Sequence, residues 1–577
     1  MKEMKFSDIL NENSLLAQKM TGKPFRISIL SNIVTTQINE ILEYALRLQN
    51  INAQVSAGDY DNIVQDSAKV SDSDCVIVFW EVGNLVDGFS YKIASYNDDY
   101  LKSLQEKIEN ELRMVFLNLS GRPFVFFNTF TANLFTNNHL ETSNLDFFCD
   151  NLNQFLRSNA PNNFHLIDLN RIFEKISVKQ SADWRFFYSS KALYTVDFYK
   201  EYVEQISLYI LSTYGKAKKV ICLDCDNTLW KGIIGEDGIF GIECSADSKS
   251  GIYFEEVQYL LLELARNGVI LCLVSKNNEE DVNQVFQQKK EMILKEEHIV
   301  LKKINWNDKA SNIKDIAKEL NLGLDSFVFI DDSDFEINLV REQLPEVTSI
   351  QVPKKLYEYP QLIRSVTRLF FKKNTSVEDQ NRTKLYKQEL ERDSLKKSFE
   401  TIDDYLKSLN LKLRILKNDS ETLPRIAQLT QKTNQFNLTT YRYTDADIEK
   451  FHKDPNIDLF AFSLEDKFGD YGLTGVSIVK YETNLAQIDT FLMSCRILGR
   501  KAEDAFIQYL LEDIKNKGVN SVKADFIKTE KNQQVENLYE RFGFRLVNSQ
   551  AEHKNYFLDL TEYNIIKLEY IEVLSGR

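Results

Sequence analysis

A chain of several α/β domains is the fold class the sequence predicts, and three observations carry that expectation. Its 577 residues exceed what one core holds at about 100–200 residues per domain. Short apolar runs that end in polar residues alternate with helical patterns along most of the chain, as parallel sheets with helical crossovers require. Hydrophobic residues make up 43% and charged residues 27%, the balance of an ordinary globular protein.

In order along the chain, Phe25–Ser31 reads as a buried strand, Thr36–Gln49 as a helix and Ile51–Ser56 as a second strand. Strand-like runs follow at Cys75–Trp80, Met114–Leu117, Phe124–Phe127 and His165–Asp168, which makes residues 1–215 a parallel α/β domain. A second α/β domain, 216–372, has apolar strands at Val220–Leu223, Val269–Val274 and Ser326–Ile330, with helices over Gly251–Asn267 and Asn277–Gln288. Residues 373–400 carry Lys384, Lys387, Glu389, Glu391, Arg392, Lys396 and Lys397 and are expected to form a solvated helical linker. The third domain, 401–577, alternates helices (Leu423–Gln431, Ala502–Lys517, Gln533–Phe542) with strands (Leu411–Leu416, Gly475–Tyr481, Gln487–Met493, Ser521–Phe526).

Composition excludes several functions. No apolar run approaches the roughly 18 residues of a membrane span, and the N-terminal residues lack a signal-peptide hydrophobic region, so a cytoplasmic protein is expected. Seven scattered cysteines fit reduced thiols, and five isolated histidines argue against zinc. A net charge of −14 disfavours nucleic acid and requires any acidic partner to find a local basic patch.

The most informative stretch is Lys219-Val-Ile-Cys-Leu-Asp224-Cys225-Asp226-Asn-Thr228-Leu-Trp230, where an apolar strand runs into two carboxylates one residue apart. Such a pair suits phosphoryl transfer around a hard cation such as Mg²⁺: Asp224 as ligand and nucleophile, Asp226 as proton shuttle, Thr228 as holder of a phosphate oxygen. Three further segments fit the same site. Ser275 ends an apolar strand and suits a transferring phosphoryl oxygen, and Lys309 opens a helix and suits developing negative charge. Asp331 and Asp332 at a strand end would complete a metal site with Asp224 and Asp226. Singly each has a plain alternative as cap, turn or surface charge; their common placement at strand ends and helix starts favours one site. Between the aspartates, Cys225 is the nucleophile best suited to carry an acyl group as a thioester, although in a regular strand it would point away from both. Its alternative is a small buried hydrophobe.

Asp224-x-Asp226-x-Thr228, Ser275, Lys309 and Asp331-Asp332 resemble the four motifs of the haloacid-dehalogenase phosphotransferase superfamily. Asn227–Gly232, Gly235–Gly238, Lys432–Thr439 and Ser494–Arg500 are similar to its FkbH-like branch. The resemblance covers residues 216–577 and, more weakly, the N-terminal domain. It implies a haloacid-dehalogenase-like Rossmannoid domain in the centre, an SGNH-hydrolase-like three-layer domain before it and an N-acetyltransferase-like α+β domain after it. Members with Cys between the aspartates resemble glyceryltransferases, which implies 1,3-bisphosphoglycerate as acyl donor and the phosphopantetheine thiol of an acyl carrier protein as acceptor. In the C-terminal domain it implies that Arg496, Gly499 and Arg500, ahead of a helix start, hold the pantetheine arm or coenzyme A, with Arg442 and Lys501 adding positive charge. Lys501 departs from that loop's pattern, where a small residue is usual. The N-terminal domain offers Leu30-Ser31-Asn32-Ile33 in place of a Gly-Asp-Ser turn and is expected to be non-catalytic.

The function expected is therefore an Mg²⁺-dependent enzyme that forms a glyceryl thioester on Cys225, removes phosphate and loads the acyl group onto a carrier protein. The alternatives are a small-molecule phosphatase with an incidental thiol, or an acyl-CoA-dependent N-acyltransferase with the phosphotransferase domain as scaffold.

Overall fold

The computed structural model describes residues 1, 3–136, 141–371, 383–388, 392, 399, 401–529, 531–550 and 552–575. They form two compact units: Met1–Ile210 with Tyr443–Lys450, and Leu211–Arg442 with Phe451–Arg577.

In the first unit, β1 (Phe25–Ser31), β2 (Ala53–Ala57), β3 (Cys75–Phe79), β4 (Phe124–Asn128) and β5 (Phe164–Ile167) build a sheet of order β2-β1-β3-β4-β5. All its pairings are parallel. The apolar runs of β3 and β4 are buried at every position, as expected of central strands covered on both faces. Met114–Leu117, expected as a strand, instead closes the helix Asp98–Leu119. Over that whole helix the buried positions Leu104, Ile108, Leu112, Val115 and Leu119 follow the helical period, leaving Met114 and Leu117 exposed. The four-residue window was too short to show it.

Where β1 and β3 end, amides take up the space. Asn32 Nδ2 donates to the carbonyls of Glu81 and Asn84, and its Oδ1 accepts from Glu81 N. Asn128 bonds both N and O of Trp80. Ser31 Oγ accepts from Ile33 N at 3.1 Å and lies buried. These side chains satisfy backbone groups at the strand ends.

In the second unit, β6 (Val220–Leu223), β7 (Ile270–Ser275), β8 (Ile299–Ile304), β9 (Phe327–Asp331) and β10 (Thr348–Gln351) form a parallel sheet of order β10-β9-β6-β7-β8. Alternate residues divide between two cores. Ile221, Leu223, Leu271, Leu273, Val328 and Ile330 pack with helices Gly251–Arg266 and Tyr359–Thr367. Val220, Cys222, Ile270, Cys272, Phe327 and Phe329 pack with helices Lys309–Glu319 and Asp334–Gln343. A three-layer domain results, with the polar strand ends projecting from one edge.

The C-terminal part of this unit is a mixed sheet of eight strands: β11 (Leu411–Lys417), β12 (Ile457–Asp466), β13 (Gly469–Glu482), β14 (Leu485–Met493), β15 (Ser521–Ile527), β16 (Arg545–Gln550), β17 (His553–Asp559) and β18 (Ile571–Ser575). Their order is β16-β17-β15-β14-β13-β12-β11-β18, with β14/β15 and β11/β18 parallel. Helix Ala502–Asn516 buries Phe506, Leu510 and Ile514 in its core. The helix expected over Gln533–Phe542 is limited to short turns at Gln533–Val535 and Leu538–Arg541.

Most of the expected linker lies outside the described residues. Arg392 is described, and it is buried, not solvated. Its guanidinium grips Asp466 through two bonds of 2.8 and 2.9 Å and lies over the rings of Phe468 and Tyr471. A run of charge predicts solvation on average; here one member has a buried carboxylate to meet.

Candidate phosphoryl-transfer site

Three strand ends and one helix start assemble the site. β6 stops at Leu223, and Asp224 N still bonds Ile330 O of β9 at 3.0 Å. The chain then turns: Thr228 N and Leu229 N both donate to Cys225 O, with Asn227 in the left-handed region at φ 52°. β7 delivers Ser275, whose Oγ donates to Asp224 Oδ1 at 2.7 Å. Asp308 caps the helix that begins at Lys309, and the Lys309 ammonium stands 2.9 Å from Asp224 Oδ1 and 2.6 Å from Asp331 Oδ2. Asp224, Ser275, Lys309 and Asp331 are all buried.

Asp224, Asp331 and Asp332 bring one carboxylate oxygen each within 4.8 Å of one another. An all-oxygen group of that size fits a hard divalent cation. Asp226 does not join it. Its Oδ1 accepts from Trp230 Nε1 and Ile234 N, and its Oδ2 from Asn277 Nδ2. The expected four-carboxylate site is thus three carboxylates, with the Asp226 side chain held beside them by Trp230, Ile234 and Asn277.

Burial acts on Asp226, Asp331, Asp332 and Lys309. It raises the Asp226 carboxyl against three stabilising hydrogen bonds, and it raises Asp331 and Asp332, with the Asp224 charge adding to both. Burial alone would lower Lys309, but Asp224 and Asp331 hold it above its ordinary value, so it stays a cation.

Cys225 is 0% exposed. Strand alternation persists one step beyond β6, so its thiol enters the apolar cluster of Ile221, Leu223, Leu229 and Trp230. Burial pushes the thiol well above its usual range, the flanking aspartates add to this, and Ser275 and Lys309 oppose it. Thr228 is also fully buried, and its Oγ1 has no hydrogen-bond partner among the described residues.

Asn277 was missed from the sequence. Its amide bonds both Ser275 Oγ and Asp226 Oδ2, tying the two together. The signal was its place two residues beyond a strand-end serine.

The C-terminal candidates are not brought to these carboxylates. Arg496 lies by residues that precede β6 and β9, at the opposite edge of the sheet. Arg500 is buried and turned inward, donating to Tyr471 Oη and Leu498 O. Arg442 is half-buried and also engaged, bonding Asn434 Oδ1 and Thr213 O, which gives Asn434 a structural role. Gly499 adopts φ 79° ahead of helix Ala502–Asn516, whose first turn carries Glu503 and Asp504. Burial raises Glu503 to about 7, and Asp504 pairs with Arg541; the Arg500 guanidinium, turned inward, is not presented at this helix start.

Neither a family model nor a curated protein matches the chain. Among solved structures it is similar to the N-terminal part of protein BF1531 from Bacteroides fragilis, which contains a phosphatase domain and was crystallised with Mg. Identity is 25%, TM-score 0.55, and the match covers 65% of this chain and 100% of the other. A second likeness, to the ribosomal-protein-S18-alanine N-acetyltransferase of Escherichia coli, has 12% identity and TM-score 0.22 over 26% of this chain and 96% of the other. Fold and site together define an enzyme whose carboxylate-bearing α/β domain is similar to that Mg-bound phosphatase domain.

Proposed function

We propose that the chain is an Mg²⁺-dependent phosphohydrolase acting on a phosphorylated small molecule. The observation that carries this reading is Asp224, bonded at Oδ1 by Ser275 and Lys309 and clustered with Asp331 and Asp332. When bound there, Mg²⁺ supplies charge neutralisation at a phosphoryl oxygen. Both contacts to Asp224 fall on Oδ1, which leaves Oδ2 for attack on phosphorus. The bond from phosphorus to the leaving oxygen then breaks, an aspartyl phosphate forms, and Asp226 gives its proton to the leaving oxygen. Burial raises the Asp226 pKa and favours that acid role. In the second half Asp226 takes a proton from water, water oxygen bonds phosphorus, and Asp224 is released. Lys309 and Ser275 hold the transferring group's oxygens throughout.

The finer reading is glyceryl transfer from 1,3-bisphosphoglycerate to an acyl carrier protein. The Cys225 thiolate would attack the acyl-phosphate carbonyl and expel phosphate, forming a thioester, while Asp224 removes the 3-phosphate. The carrier's phosphopantetheine thiol would then take the acyl group and return the thiol of Cys225. Support for it is the position of Cys225 between the aspartates and against Ser275; its burial demands that the turn after it open.

Intact-protein mass spectrometry after incubation with Mg²⁺ and 1,3-bisphosphoglycerate tests both. An acyl adduct on the native chain and none on Cys225→Ala supports the transferase. Equal phosphate release from both chains without adduct leaves the phosphohydrolase alone, and no release from either removes both readings.

A further inference from the structure

Strand direction sets a second cavity apart from the phosphoryl site. Asp224, Ser275 and Asp331 stand at the C-terminal ends of β6, β7 and β9, whereas Lys219 and Ser326 immediately precede β6 and β9. Five residues of extended chain separate Lys219 from Asp224, about 16 Å. Around Lys219 lies a cavity of about 370 Å³, walled on its other side by the segments Lys432–Gln435 and Ser494–Arg496. These are the two motifs for which the phosphoryl chemistry has no use.

The charge of the wall is one-sided. Among the described residues, Lys219, Arg425, Lys432, Arg496 and Lys531 line it with one carboxylate, Asp325. Lys531 already pairs with Asp325, and although burial would raise that carboxyl, Lys531 and Lys219 hold it below the usual range. Lys218, next in the chain, is pushed down to about 8, first by burial and then by the Lys531 charge. A positive enclosure within a chain of net charge −14 selects a multiply charged anion, and two guanidinium groups among its cations suit phosphate oxygens. The volume admits a small molecule and excludes a polymer.

We infer that this cavity is a second anion site that takes a small phosphate-bearing molecule, bound by Arg425, Lys432 and Arg496. The inference is independent of the chemistry assigned to the carboxylates. The phosphate could belong to a free metabolite or to the head of a phosphopantetheine arm, and the same experiment separates the two.

Cys495 supplies the readout. It lines the cavity and is half-buried, while the other six cysteines are buried. Alkylation of the full chain by iodoacetamide in chelator, followed by peptide mass spectrometry, should therefore report Cys495. Inorganic pyrophosphate, 3-phosphoglycerate and 4′-phosphopantetheine are the probes. At least one should slow Cys495 labelling by about tenfold in a saturable way, consistent with two charge-assisted contacts. Protection by the first two indicates a free metabolite, and protection by the third alone indicates a carrier arm. Asp224→Asn should retain the protection and Lys432→Gln with Arg496→Gln should lose it; Lys531→Gln, at the half-exposed rim, serves as the variant if that pair misfolds. No protection by any probe up to about 10 mM, protection that survives these cavity variants, or protection abolished by Asp224→Asn overturns the inference.

Discussion

Replacing Lys309 by Met removes the cation that stands 2.9 Å from Asp224 and 2.6 Å from Asp331, all three side chains being buried. The methionine fills much the same volume, so the loss is chiefly electrostatic. Removing one partner of a buried pair costs about 3–5 kcal/mol, because the remaining charges stay desolvated. The unit holding the site has about 360 residues, and at about 2.1 cal/mol/K per residue that cost lowers its melting temperature by roughly 4–7 °C. The assay is differential scanning fluorimetry in chelator and in excess Mg²⁺. Without Lys309 the three clustered carboxylates have no competitor for a cation, so the variant should bind Mg²⁺ more tightly than the native chain and gain more from it, by up to about 2.7 kcal/mol for a hundredfold difference in affinity. The gap between native and variant should narrow by about half. An unchanged melting temperature in chelator, or a gap that Mg²⁺ leaves untouched, would refute the reasoning that Lys309 and a metal share the same carboxylates.

Three further outcomes are expected. Arg392→Met should lower stability by about 3–5 kcal/mol by stranding Asp466 in the core, seen as a lower urea midpoint. Gly475→Ala places a Cβ 1.8 Å from Phe462 Cε1 in the adjacent strand, and the forced shift of that ring should cost about 1–3 kcal/mol or more by the same measurement. Glu81 accepts from Tyr194 Oη and Gly83 N, yet burial raises it to about 7. Below its unfolded value both states hold the proton; as pH rises from 4.5 to about 7 the unfolded chain ionises first, so stability falls, by about 3 kcal/mol in all. Glu81→Gln should flatten that portion of the profile between pH 4.5 and about 7, and an identical slope in both proteins would exclude Glu81 as its source.

The phosphoryl site was legible because each of its members ends an apolar strand or opens a helix, positions that local sequence reveals. What escaped depends on contacts between distant segments. Nothing near Asp226 marks it as held by Trp230 and Asn277 rather than free for a metal. Arg442, Arg500 and Arg392 counted as exposed charge, yet each has a carbonyl, hydroxyl or carboxylate waiting inside the fold. The burial of Cys225 was half visible: alternation said it would point away from Asp224, but only the packing of Leu229 and Trp230 shows how completely it is enclosed.

That enclosure bears on the lifetime of any acyl group carried on Cys225. An activated acyl group is ordinarily lost to water within the reach of any open site, and the apolar wall of Ile221, Leu223, Leu229 and Trp230 leaves a group bound there without a hydrolytic co-reactant. The same wall bars a carrier's thiol as firmly as it bars water. Were Cys225 to carry such a group, both protecting it and handing it over would depend on the Asp226–Gly232 turn that closes the pocket.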